Sequence, residues 1–161
     1  MSRWGLTYKT FEVVWPDEWN AIVDALDELS KSIVMVIPAC GSGLVFDYGT
    51  ETSVMPFTGE LNFGQALILP VGLKARFLAV HVYDNTLNAD AYVYVRKNGA
   101  TTDLWVKIGA NSTGVFTAEV DGIDYPAGSG IDFLVDTKSA TSGVLKIGSM
   151  VAIGFFSLPS G

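Results

Sequence analysis

Few residues of this chain could run a reaction. His81 is the only histidine and Cys40 the only cysteine. One imidazole excludes a multi-histidine metal site and leaves most acid–base schemes short of a partner. A cysteine nucleophile needs a neighbouring base, which the sequence does not place, so Cys40 is read as a small buried residue. His81 shares a strand face with Phe77, Ala79 and Tyr83 and is read as a hydrogen-bonded packing residue. Gly41-Ser42-Gly43 and Gly128-Ser129-Gly130 are turns: neither forms a Gly-x-Ser-x-Gly elbow nor leads into Gly-Lys-Ser/Thr. Asp121, Asp124, Asp132 and Asp136 lie close in sequence, and sandwich loops can hold calcium with such oxygens. No EF-hand spacing is present, however, and Asp132 and Asp136 also alternate as outward residues of a strand. Nothing sets two carboxylates across a cleft, as glycoside hydrolysis requires. No catalytic residue, no metal site and no cofactor is expected.

Binding chemistry is better represented. Tyr92, Tyr94 and Trp105 fall on the outward faces of two adjacent strands, close enough to form an aromatic patch. Such a patch serves as a sugar platform, as a subunit interface, or as plain cross-strand packing beneath a loop.

The elements that carry these residues follow from periodicity. Trp15, Trp19, Ile22, Leu26, Leu29 and Ile33 recur at spacings of four, three, four, three and four, the seam of an amphipathic helix. Pro16 suits the first helical position, Asp17 and Glu18 sit at the positive end of the dipole, and Lys31 lies near the negative end. An isolated helix of this length is marginal, so the seam either self-associates or docks on a β-sheet. Residues 1–14 carry Trp4, Tyr8 and Phe11 without helical period and read as an extended arm laid along another surface or as an edge strand.

From Val34 onward the chain reads as β-structure. Val34–Ile37 and Leu44–Tyr48 are strand-like about a Cys40–Gly43 turn, and Gly49–Ser53 is loop-like. Eight strands are predicted from residue 65: Gln65–Leu69, Phe77–Tyr83, Ala91–Arg96, Asp103–Ile108, Val115–Val120, Ile131–Asp136, Val144–Ile147 and Met150–Ser157. Asn98-Gly99 between the third and fourth is a strong hairpin signal. Phe77–Tyr83 is apolar at both parities and is expected to be covered on both faces. Strands without intervening helices imply an antiparallel jelly-roll-like β-sandwich, mainly β, preceded by the arm and one N-terminal α-helix. The chain divides into an attachment segment, 1–33, and a sandwich, 34–161.

Composition narrows the partners. The chain has 161 residues and a net charge of −7, with no basic stripe, so nucleic acid and anionic membrane are not expected partners. No apolar run approaches a membrane span, and the first residues lack the basic-then-apolar order of a secretory signal.

The hairpin from Tyr92 to Ile108 resembles the central hairpin of small jelly-roll domains in viral structural proteins, such as tail-fibre heads, spikes and capsid-decoration proteins of phages and archaeal viruses. The Leu67-Ile68-Leu69-Pro70-Val71-Gly72 lead-in and the Tyr125-Pro126-Ala127-Gly128 turn fit the same plan. The resemblance covers roughly residues 54 to 158. It implies a non-enzymatic virion protein, a homotrimer held by an N-terminal helix or arm, with other virion proteins and a host surface glycan as partners and receptor binding at its loops. Trp4, Tyr8, Phe11, Trp15, Trp19, Ile22, Leu26, Leu29 and Ile33 are the expected docking and oligomerisation residues. A carbohydrate-binding module using Tyr92, Tyr94 and Trp105 is the alternative.

Overall fold

The computed structural model describes residues 20–24, 34–61 and 66–157. Residues 20–24 are helical, with Ile22 half-buried and Val23 exposed. Trp4, Tyr8, Phe11, Trp15, Trp19, Leu26, Leu29 and Ile33 lie outside the described residues.

Nine strands follow: β1 (Val34–Asp47), β2 (Glu51–Val54), β3 (Leu67–Ile68), β4 (Gly72–Asn85), β5 (Ala91–Lys97), β6 (Ala100–Ile108), β7 (Gly114–Tyr125), β8 (Gly130–Asp136) and β9 (Val144–Ser157). One antiparallel sheet has the order β1-β9-β4-β7 and the other β2-β8-β5-β6, with the short β3 also pairing β8. Apart from β2–β3 and the β5–β6 hairpin, every connection crosses from one sheet to the other. That order, two folded Greek keys, is a jelly roll. The β5–β6 turn has positive φ at Asn98 (50°) and Gly99 (82°), as a two-residue hairpin of this hand requires. The Asn98 side chain also accepts from the Gly130 N–H at 2.7 Å, tying the turn to the start of β8.

The core lies between the sheets. Ile37, Phe46, Leu78, Val80, Leu145 and Ile147 from the first meet Val93, Val95, Leu104, Ile108, Ile131 and Phe133 from the second, all at most 1% exposed. Each such side chain contributes about 1.5–3 kcal/mol of burial, set against the conformational entropy of ordering it.

Two predicted breaks are bulges. The Cys40–Gly43 turn is a register shift inside continuous β1. The predicted gap between Val144–Ile147 and Met150–Ser157 is likewise a shift within β9, so among the described residues seven strands follow residue 65 rather than eight. Opposite it, β4 shifts between His81 and Val82. The pairs Cys40–Ser149 and Leu44–Ile147 bracket the shift on β1, and His81–Ser149 and Val82–Ile147 bracket it on β4. One line of bulges therefore crosses three neighbouring strands. Buried residues move from Ile37 and Ala39 to Leu44 and Phe46, and from Leu145 and Ile147 to Met150 and Ala152, so the odd residue reverses inward parity. Two other readings change. Residues 51–54 form β2, not a loop, and Cys40 is exposed beside the bulge rather than buried.

Candidate functional site

Two surfaces stand out, one on the outer face of each sheet. On the first sheet, residues across the strands fall in register: Val36 with Ile153 with Phe77, Pro38 with Val151 with Ala79, and Val34 with Phe155. All face away from the core. Val34 and Val36 are 48% and 50% exposed, and the others are half-buried. An apolar stripe thus runs over β1, β9 and β4. At one end Arg76 sits over the Phe77 and Phe155 rings at 5.6 and 5.9 Å and pairs with Glu119 of β7 at 3.2 Å. The other end is the line of bulges, beyond which the Asp84–Lys146 pair returns the surface to polar.

Of the outer residues of Phe77–Tyr83, a strand expected to be covered on both faces, Phe77 and Ala79 are half-buried while His81 and Tyr83 are exposed. His81, read from sequence as a hydrogen-bonded packing residue, lies there beside Gly148. The stripe residues on β1 and β9 were not singled out from sequence. The signal was available: Val34–Ile37 and Met150–Phe156 are apolar at both parities, whereas an antiparallel strand with one wet face alternates.

On the second sheet the structure brings Tyr92, Tyr94 and Trp105 together. Tyr92 and Tyr94 have ring centroids 6.2 Å apart and near-parallel planes, while Trp105 stands 5.8 Å from Tyr92 and 6.1 Å from Tyr94, edge-on and tilted. The strands set this spacing. Tyr92 and Tyr94 alternate on one face of β5, and Trp105 lies opposite Tyr94 on β6. Leu134 of β8, opposite Tyr94 on the other side from Trp105, is 9% exposed and flanks the cluster. Trp105 remains 42% exposed.

Charge surrounds the rings. Lys107 is held by Asp90 at 2.6 Å and Lys138 by Glu51 at 2.6 Å. The hydrogen bond from Lys107 holds the Asp90 carboxyl below its ordinary range and raises the lysine in turn. Asp136 faces Tyr92 across β8, and Asp103 shares the outward face of β6 with Trp105. Burial, then the nearby Asp136, Tyr92 and Glu51, raises the Tyr94 hydroxyl, which stays a protonated donor. Deeper in the same face, Arg96 donates to Asp132 (Nε to Oδ1, 2.9 Å) and to Ser53 Oγ at 2.8 Å.

The four aspartates do not share a site. Asp121 and Asp124 belong to β7 in the first sheet, whereas Asp132 and Asp136 belong to β8 in the second. Among the described residues, no three acidic, histidine or cysteine side chains gather as metal ligands.

No family model matches the chain, and no curated protein does. Solved structures are similar to it at low identity. Eiger TNF from S. frugiperda is 10% identical over 80% of this chain and 97% of that one, with a TM-score of 0.44. VP2 of the infectious bursal disease virus subviral particle is 14% identical over 74% of this chain, with a TM-score of 0.33. The chain spans 32% of the length of that VP2 chain.

Proposed function

We propose that this chain is a non-enzymatic structural subunit of a virion, a jelly roll that assembles with copies of itself through the outer face of the β1-β9-β4-β7 sheet. The observation that carries the reading is the in-register stripe of Val34, Val36, Pro38, Val151, Ile153, Phe155, Phe77 and Ala79. Water is a poor neighbour for such a face, and contiguous apolar surface on a folded domain marks an interaction site. The stripe is bounded by charge at both ends, as an interface core is bounded by its rim.

Size argues that the stripe does not act alone. Three strands about 4.8 Å apart and five residues long cover roughly 250 Å² in projection. A stable interface takes about 800 Å² from each partner. The arm and helix predicted over residues 1–33 supply the remainder, with Trp4, Tyr8 and Phe11 as docking aromatics and Trp15, Trp19, Ile22, Leu26, Leu29 and Ile33 as the seam. Closed symmetry suits such a subunit, and the resemblance of its central hairpin to fibre heads, spikes and capsid-decoration domains favours three copies.

Light scattering on the full chain and on Ile153→Asp tests this. A trimer that becomes a monomer in the variant, with the same cooperative unfolding, supports assembly through this face. A monomeric parent chain overturns it. Mass spectrometry of purified particles from a host carrying the gene tests the virion assignment, and the chain's absence from those particles refutes it.

A further inference from the structure

The β5–β6 face is not used by that assembly and stays open on the sheet opposite, which rests on the reading just given. We propose that Tyr92, Tyr94 and Trp105 form a binding platform for an uncharged pyranose, with Asp136 and the Lys107–Asp90 and Lys138–Glu51 pairs as its hydrogen-bonding rim.

Three observations lead there. First, apart from Leu134 beside Tyr94, the rest of this outward face is polar: Glu51, Ser53, Arg96, Asp103, Lys107 and Asp136 point the same way. Three rings amid such a surface leave Trp105 42% exposed, where Thr or Lys would keep the strand soluble. Mutual packing explains their contact with one another but not the open indole.

Second, the arrangement is amphipathic on the scale of one sugar ring. A pyranose has apolar C–H faces and a girdle of hydroxyls that both donate and accept. The rings offer the apolar surface. The rim offers carboxylate acceptors at Asp136, Glu51 and Asp90 and ammonium donors at Lys107 and Lys138. The two ion pairs, each closed at 2.6 Å, fix donors and acceptors side by side before a ligand arrives, which limits the ordering cost of binding. The protonated Tyr94 hydroxyl adds a donor beside the rings.

Third, charge selects among sugars. Around the rings four carboxylates (Glu51, Asp90, Asp103, Asp136) meet two ammoniums (Lys107, Lys138), which leaves two negative charges on a protein whose net charge is −7. That field repels sialylated, sulfated and uronic glycans and is indifferent to neutral hexoses. A quaternary ammonium also suits aromatic rings and carboxylates, but it binds in a cage whose ring faces converge on one point. Here Tyr92 and Tyr94 are only 26° from parallel on a sheet face, which gives a platform rather than a cage.

Titration of the full chain with cello-, manno- and galacto-tetraose, with 3′-sialyllactose and choline as counter-probes, decides the matter. The expected result is saturable binding of at least one neutral tetraose and none of either counter-probe. Trp105→Ala then raises Kd about thirtyfold, the loss of a hot-spot aromatic, and leaves the solution mass unchanged. Should that variant not fold, Trp105→Phe keeps a ring in place and weakens binding by a smaller factor. No binding of any neutral tetraose overturns the proposal, as does capture of sialyllactose or displacement by choline. A change of solution mass on Trp105→Ala also overturns it, because the face is then a subunit contact. A monomeric parent chain that still binds a tetraose refutes the assembly reading alone.

Discussion

Arg96 and Asp132 face each other from neighbouring strands and close a buried ion pair on the outer side of a sheet, where residues are ordinarily wet. The side chains are 15% and 3% exposed, and the Ser53 hydroxyl accepts from the far guanidinium nitrogen at 2.8 Å. The pair binds β8 to β5 and, through Ser53, to β2, two residues along the same face from the Tyr94–Leu134 pair. Removing one partner strands a buried charge. Arg96→Met is expected to cost about 3–5 kcal/mol, whereas Arg96→Met with Asp132→Leu recovers most of that loss. Urea unfolding of both variants checks this, and a double variant as weak as the single one contradicts it.

Gly143 and Gly154 answer to backbone geometry rather than chemistry. Gly143 has φ of +97°, and a Cβ there would lie 2.1 Å from the Thr86 carbonyl oxygen. Gly154 has ordinary φ, but its Cβ would lie 2.5 Å from the Lys74 carbonyl oxygen and 2.9 Å from Ala75 Cα. Gly143→Ala is expected to cost more than about 1 kcal/mol, since both the conformation and the space are denied. Gly99→Ala meets nothing within 4 Å and pays only for its positive φ. The ordering of the two denaturation midpoints is the test.

These positions show what could be read from residue order and what could not. The Asn98-Gly99 hairpin and the alternation of Ala91–Ile108 named β5 to within one residue and β6 to within three, because turn chemistry and period-2 burial are local. The bulges could not be read that way. A parity reversal at Gly148-Ser149 looks in sequence like the end of one strand and the start of another, and only the continuous pairing of β9 with β4 and β1 shows a single strand. Likewise Tyr92, Tyr94 and Trp105 were legible as one patch, since a hairpin fixes their register. The stripe on the other sheet draws on pairing partners more than seventy residues apart, such as Phe77–Ile153 and Val36–Ile153, and was legible only as apolar runs without alternation.

The pH profile follows from groups in both sheets. Tyr125 is 1% exposed, and burial drives its hydroxyl far above the ordinary tyrosine range. The folded chain then holds a proton that the unfolded chain releases near pH 10. Its contribution is complete below that pH and is lost as pH rises above it. Lys107, Lys138 and Lys146, raised by their hydrogen bonds to Asp90, Glu51 and Asp84, act in the same direction above about pH 10.4. Asp90, lowered by Lys107, contributes above about pH 4, and that part is lost as pH falls through its folded value. Melting temperature is therefore expected to fall at both extremes. Tyr125→Phe removes part of the alkaline fall, read as a smaller loss of melting temperature between pH 9 and 11. An unchanged alkaline slope refutes the assignment.

The lone thiol offers a readout of assembly that needs no measurement of mass. Cys40 is exposed on β1, outward like Pro38 two residues before it and opposite Ser149, at the end of the stripe where the bulges begin. A partner copy seated on Pro38, Val151 and Ala79 shields it, whereas a solitary chain leaves it open. The chain carries one cysteine, so labelling by a water-soluble maleimide reports this site alone. The parent chain at high concentration is expected to label slowly, and the same chain diluted below its dissociation constant to label fast. Ile153→Asp labels fast at every concentration. Rates that are equal in all three conditions leave Cys40 equally open in each, and they count against a partner on this face.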